Sequence, residues 1–277
     1  MFNTLMMVSG RPAVNASVVI SANTQEYNLI DDAFGGVAPS GITAVDLTIN
    51  SGVIVYGVTE PAMDLTGLPD GSYINMTNLG HVIGFGGAAG DGMSVESETD
   101  GLSCIGSEFG GSAGSAGGDA ITCDGDVALN ITNAAGFIFG GGGGGGGGSS
   151  CLRGSAPCQS GGGGGGGGGA GSMSVGGAAG AAGDSTWFST TVCTASVGNV
   201  GTGGSSGAGG SGGAGCGGAC TGSAGGAGGE YGASGTVGSG GGKAGGAGGD
   251  SVSHTGAGAV TYVSGGSQGV DIKGTTS

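Results

Sequence analysis

Asn130-Ile131-Thr132-Asn133-Ala134-Ala135-Gly136-Phe137-Ile138-Phe139, followed by nine consecutive glycines at 140–148, is the stretch on which the reading of this chain turns. It opens as a β-like apolar-Thr-Asn segment and turns through small residues. It then passes an apolar aromatic run and enters residues with no side chain. A related stretch lies upstream: Asn75-Met76-Thr77-Asn78-Leu79-Gly80-His81-Val82-Ile83-Gly84-Phe85-Gly86-Gly87, one residue shorter in its turn. Each copy launches a glycine segment from a β-like unit. Two copies point to stacked units, fewer than the three or more that a full solenoid usually needs.

Working outward, glycine accounts for 80 of 277 residues. Such a chain cannot bury side chains along its whole length, and each glycine loses more backbone entropy on ordering than any other residue. Only 8% of residues are charged, and alanine is the usual companion of glycine. That composition lacks the charge of a solvated tail. A second unbroken glycine run covers 161–169. Elsewhere glycine recurs every third residue, at Gly198, Gly201, Gly204, Gly207, Gly210 and Gly213, and again at Gly226, Gly229, Gly232, Gly235, Gly238 and Gly241. Period three is that of an extended threefold helix rising about 3.1 Å per residue, so nine residues would span roughly 28 Å. Its amides and carbonyls point sideways and, once buried, must pair with neighbours. With five prolines and a broken Gly-X-Y frame, the pattern is not collagen. A flexible linker and other glycine-tolerant β arrangements are the other readings.

Residues 1 to about 70 differ. Their β-branched runs and turn residues predict strands near 14–20, 43–49, 53–58 and 72–77, and no window shows a helical period. The expected fold is mostly irregular/β: a small N-terminal β domain (1–70), then a bundle of packed polyglycine II-type helices with connecting loops (71–277).

The formal net charge is −15, and the cations are Arg11, Arg153, Lys243 and Lys273. This disfavours nucleic acid or an anionic membrane surface as partner, since both rely on clustered Lys and Arg. No stretch reaches the ~18–20 apolar residues of a membrane span, and residues 1–19 do not read as a secretory signal. Seven cysteines nevertheless occur, at Cys104, Cys123, Cys151, Cys158, Cys193, Cys216 and Cys220. This combination fits a virion protein made in a reducing cytoplasm and oxidised after release, with disulfides among these residues. The pair Cys216 and Cys220 matches a zinc spacing only weakly, without a companion pair; no metal or cofactor is expected.

Chemistry is concentrated where glycine stops. The segment 151–158 carries Arg153 between Cys151 and Cys158, and reads as a stapled turn, a contact loop or both. The segment 184–193 carries Trp187 and Phe188, as receptor anchors or as a plug for the end of the glycine layer. The segments 93–109, with Phe109, and 230–231, with Tyr231, complete the candidate contact set. No catalytic constellation is recognisable, and the chain reads as a non-enzyme. The Gly-x-Gly-x-x-Gly matches lack the strand-to-helix setting of a nucleotide loop.

The element from Asn130 through Phe139 into the glycine run resembles the strand-turn-polyglycine element of bacteriophage tail-tip proteins. The alternation of glycine segments with distinct loops resembles the distal adhesins of T-even-type long tail fibres. That resemblance implies an N-terminal β domain docked on a tail or tail fibre. It also implies a polyglycine-helix domain presenting variable loops to a host outer-membrane protein or surface glycan, in the virion. A purely structural virion tip protein and a glycine-rich ice-binding protein are the alternatives.

Overall fold

The computed structural model describes residues 14–99, 104–153, 159–171, 176–187, 190–194, 209–215, 221–265 and 270–277. The chain coils through three parallel sheets, visiting them in the same order each time. The first coil is β1 (Val14–Ile20), β2 (Thr24–Gln25) and β3 (Tyr27–Asn28), followed by a one-and-a-half-turn helix α1 (Leu29–Phe34). The second is β4 (Thr43–Ile49), β5 (Ile54–Tyr56) and β6 (Met63–Asp64). The third begins with β7 (Tyr73–Asn78) and β8 (His81–Ile83), departs through β9 (Met93–Thr99) and β10 (Cys104–Gly110), and ends at β11 (Ile121–Asp124). The fourth begins with β12 (Ala128–Asn133) and β13 (Phe137–Phe139). It makes a longer excursion through β14 (Cys151–Arg153), β15 (Gln159–Gly161), β16 (Asp184–Trp187) and β17 (Thr190–Thr194), and ends at β18 (Val252–Thr255). The fifth is β19 (Val260–Ser264) and β20 (Ile272–Lys273), closed by a parallel bridge from Thr276 to Val252. The sheets run β1-β4-β7-β12-β19, β2-β5-β8-β13-β20 and β3-β6-β11-β18. This is a five-coil parallel β-solenoid.

Period-two alternation sets the register. Val18, Leu47, Met76 and Ile131 stack in one inward ladder, and Val45, Ile74 and Leu129 in another. Leu47, Ile74, Leu129 and Ile131 are wholly buried, each contributing about 1.5–3 kcal/mol. The two copies of the sequence repeat lie on top of one another. Asn75 pairs with Asn130 through to Asn78 with Asn133, then His81 with Phe137 through to Ile83 with Phe139. The extra residue of the second copy is absorbed in the turn between. There Asn78 donates to Asn133 Oδ1 (2.8 Å) and accepts from the Gly80 amide (3.1 Å), while Asn133 donates to the Gly136 carbonyl (2.9 Å). These buried carboxamides satisfy backbone groups that the corner leaves unpaired.

The strands expected near 14–20, 43–49, 53–58 and 72–77 are present as β1, β4, β5 and β7. Helix α1 escaped the periodicity because it is short, yet its ends are written in sequence. Asn28 Oδ1 caps the Asp31 amide at 3.0 Å, and Gly35 terminates the helix at φ 65°, the left-handed conformation that glycine adopts without cost.

Between β2 and β3, Glu26 Oε1 accepts hydrogen bonds from the amides of Thr59 (2.7 Å), Glu60 (3.0 Å) and Val58 (3.1 Å) and from the Thr59 hydroxyl (3.0 Å). The Thr59 amide foremost, with that of Glu60, holds this carboxyl at about 2, below the ordinary 4.5. A lowered folded value means stability present above pH 4.5 and lost as pH falls toward 2. Glu26→Gln is therefore expected to lower the melting temperature at neutral pH. The gap between variant and parent should close as melts are taken stepwise below pH 4.5; a gap that is constant with pH would refute the assignment.

The glycine excursions are extended segments joined by backbone hydrogen bonds in several directions. Amides 141, 144 and 147 donate to the carbonyls of Gly118, Ser115 and Ser112. Amides 142, 145 and 148 donate to Ala170, Gly167 and Gly164, and amides 143 and 146 to Ala233 and Thr236. The carbonyls of 142, 145 and 148 accept from residues 87, 90 and 93. Those of 143 and 146 accept from 229 and 226, and those of 141, 144 and 147 from 249, 246 and 243. Segment 140–148 thus has six neighbours, and its buried amides and carbonyls are paired as the period-three argument required. The expected architecture is nevertheless corrected. The molecule is mostly β, with parallel sheets, and is not an N-terminal β domain followed by a bundle of packed polyglycine II-type helices. Strands from before and after residue 70 build the same three sheets, and α1 and a 3-10 turn at Ser239–Gly241 are the helices among the described residues. Period three in the glycine marked where neighbouring backbones touch; it did not mark a separate helical domain. No helix among the described residues is long and apolar enough to cross a membrane.

Candidate functional site

Both excursions leave the solenoid from the end of a second-sheet strand and return to the start of a third-sheet strand. At the base, the Gly84 amide bonds to the Phe139 carbonyl and the Gly140 amide to that of Lys273. From there the segments run out and back. Residue 142 sits beside 170 near the base, and 148 beside 164 at the far end; 141 sits beside 118, and 147 beside 112. Segments 177–183 and 233–238 likewise run outward, and 221–229 and 242–249 run back.

The three described hairpins therefore collect at the end remote from the solenoid. Strand β9 pairs antiparallel with β10 and parallel with β16, which pairs antiparallel with β17, forming one four-stranded sheet from both excursions. Hairpin β14–β15 lies beside it. Three side chains pin this sheet to its stem. Asp91 Oδ1 accepts from the Ala181 amide (2.8 Å), Ser112 Oγ from the Asp91 amide (2.8 Å), and Ser94 Oγ from the Asp184 amide (3.0 Å). These positioning residues carried no sequence signal beyond being polar breaks in glycine.

Of the expected contact residues, Phe109 lies on β10 opposite Ser94 and is 49% exposed. Arg153 ends β14 opposite Gln159, and Trp187 ends β16 in register with Ser97 and Thr190. Phe188 lies outside the described residues. The fold thus brings Phe109, Arg153 and Trp187 to one end of the molecule, although they are far apart in sequence.

Tyr231 is at the opposite end, and its placement in the contact set is corrected. It is 3% exposed, with its ring 4.9 Å from that of Phe139 and its hydroxyl donating to the Gly171 carbonyl at 2.8 Å. The stack continues from Phe139 to Phe137 (5.1 Å) and His81 (4.9 Å), with Lys273 Nζ 5.2 Å above the Phe139 ring. The reason is topological: segments alternate out and back, so residues 230–231 turn against the solenoid. Burial lowers the His81 pKa from its usual value.

Cys123 is likewise corrected as a disulfide candidate. It is buried on β11 with a free thiol, and burial pushes that thiol up to about 11, which leaves it unreactive. By backbone, Cys104, Cys151 and Cys193 stand on β10, β14 and β17, while Cys158, Cys216 and Cys220 lie outside the described residues. Among the described residues, no cluster of His, Cys, Asp or Glu is arranged to hold a metal ion.

A coiled β base, a glycine-rich stem and a cluster of hairpins at the far end make up the molecule. The profile described as phage tail fibre adhesin Gp38 matches residues 15–275, and the chain belongs to that family. It is a tail fibre adhesin, a component of the virion. Among solved structures the chain is similar to the crystal structure of the gp37–gp38 adhesin tip complex of the bacteriophage S16 long tail fibre. That match has 24% identity and a TM-score of 0.52, covering 95% of this chain and 82% of that one. No curated protein matches the chain.

Proposed function

We propose that the N-terminal part of the chain docks on a tail fibre and that the remote hairpins bind a receptor on the host surface. The observation that carries this reading is the convergence of β9–β10, β14–β15 and β16–β17 on one end, with the solenoid at the other. The solved structure of similar fold is a gp37–gp38 adhesin tip complex of a long tail fibre, which supports a fibre protein as partner here. The receptor is a host outer-membrane protein or a surface glycan, and the role is binding without catalysis.

The test is adsorption by phage carrying Trp187→Ala or Arg153→Ala. Each is expected to slow adsorption tenfold or more, since aromatic and arginine anchors commonly contribute about 2 kcal/mol and 1.4 kcal/mol is tenfold. The melting temperature of the purified chain should not change. Unaltered adsorption and host range after exchange of segments 93–109, 151–158 and 184–193 together would instead support a purely structural tip protein.

A further inference from the structure

The two edges of the first sheet are unlike. At one edge stands β19, five residues long and paired to β12 with a register shift between Ile131 and Thr132. Such an irregularity is a usual way of blunting an edge. At the other stands β1, Val-Asn-Ala-Ser-Val-Val-Ile, regular along its whole pairing with β4 and without lysine, proline or any charge. No described strand pairs with its far side, so the amides and carbonyls there stand ready for another strand. The core is also less covered at this edge. Val45 and Leu47 are wholly buried, whereas Ala16 and Val18, in register with them, are only partly buried.

A groove of about 500 Å³ runs between β1 and α1, where Ala16, Val18, Asp32 and Phe34 line it. It shares Val19 and Asp32 with a recess of about 220 Å³ that reaches Tyr27. Tyr27 is 5% exposed, and its hydroxyl is buried without a hydrogen-bond partner among the described residues. A polar group in that state costs stability until something pairs with it. Burial foremost, and then the charge of Asp32, pushes its pKa up. Asp32 has no cation beside it. Arg153, Lys243 and Lys273, the cations among the described residues, stand on β14, at the far end of the glycine layer and on β20. Glu26 and Asp31 line an adjoining recess, so the whole trough is acidic. The described residues assemble no metal site, and a second copy of the chain would bring the same acids.

An acidic trough with an unpaired buried hydroxyl, beside an unguarded strand edge, fits an extended segment that carries a basic side chain. We propose that the tail-fibre protein lays an extended segment along β1 and seats a lysine or arginine of that segment against Asp32 and Tyr27. The cation donates to the Asp32 carboxylate and to the Tyr27 hydroxyl oxygen, both of which accept, and apolar side chains of the segment cover Ala16 and Val18. This inference rests on the docking role proposed above for the N-terminal part of the chain and names the chemistry of its partner.

The test is binding of the full chain to the fibres of particles of the same phage assembled without it. The parent is expected to bind. Asp32→Lys is expected to lose about tenfold or more in affinity, as removal of one partner of a hydrogen-bonded charge pair does. Asp126→Lys makes the same charge change at an exposed position between β11 and β12, and is expected to bind as the parent does. Tyr27→Phe is expected to show a smaller loss, with no fall in melting temperature. Thermal melts confirm that each variant is folded; if Asp32→Lys is not, Asp32→Asn takes its place. Equal binding by the parent and the folded Asp32 variant overturns the inference and leaves docking standing. Equal losses in Asp32→Lys and Asp126→Lys overturn it too, since net charge alone would then be at work. A parent that binds no fibre overturns the docking role and the inference with it. A parent that sediments as a dimer and becomes monomeric in Asp32→Lys would give the trough to a second copy. A free chain destabilised equally and non-additively by Arg11→Ala and Asp32→Asn would give it to the chain's own first residues. Either outcome overturns the inference.

Discussion

A single side chain placed at residue 145 is expected to collapse the glycine layer. The amide of Gly145 donates to Gly167 and its carbonyl accepts from Gly90, while an added Cβ would overlap the Gly226 carbonyl oxygen. No flexible side chain is there to yield; the obstacle is backbone held by its own hydrogen bonds. Overpacking a core costs about 1–3 kcal/mol and occasionally more, and Gly145→Val belongs at or above the top of that range. A loss of about 3 kcal/mol in a chain of this size lowers the melting temperature by about 6–12 °C. Ala247→Ser, on an exposed position of the neighbouring return segment, is expected to stay within about 0.5 kcal/mol. Calorimetry on both variants checks the contrast. A Gly145→Val protein that melts with the parent would mean that close backbone approach does not hold the layer together.

The second large effect is expected at Tyr231. Removing its ring opens a cavity between Phe139 and Gly171, and truncations of buried aromatic residues cost about 3–5 kcal/mol. Tyr231→Phe keeps the ring and loses the hydrogen bond to the Gly171 carbonyl, a change of about 1 kcal/mol. Adsorption separates this role from that of the hairpins. Phage bearing Tyr231→Ala, assembled and assayed at a temperature where the chain remains folded, should adsorb normally. Slow adsorption by folded Tyr231→Ala would return this residue to the contact set.

The strand content was readable because β1, β4 and β7 are long, β-branched and bounded by turns. The solenoid was not. Its coils begin at residues 14, 43 and 73, a near-regular spacing, and then at 128 and 260. The two excursions stretched the period until only one pair of copies was visible. The third sheet is built from strands as short as Tyr27–Asn28 and Met63–Asp64, too brief to show alternation. Arg153 and Trp187 stand out because they interrupt glycine, and their strands lie at the hairpin end; the same rule misplaced Tyr231. An interruption in glycine marks a turn without saying which end of the layer it occupies. Counting segments alternately out and back would have supplied that. Period-three glycine was read as a helix-forming rule when the more basic message was contact: a residue without a side chain wherever two backbones meet.

The out-and-back course of the glycine segments also has a mechanical consequence. Traction between hairpins held by a cell and a solenoid held by a fibre would act along the length of the segments. The hydrogen bonds of segment 140–148 reach its six neighbours sideways, across that direction. A load applied this way strains them in shear and shares the force among many, where a peeling geometry would break them one after another. A layer whose single contacts are weak can thereby resist a sustained pull.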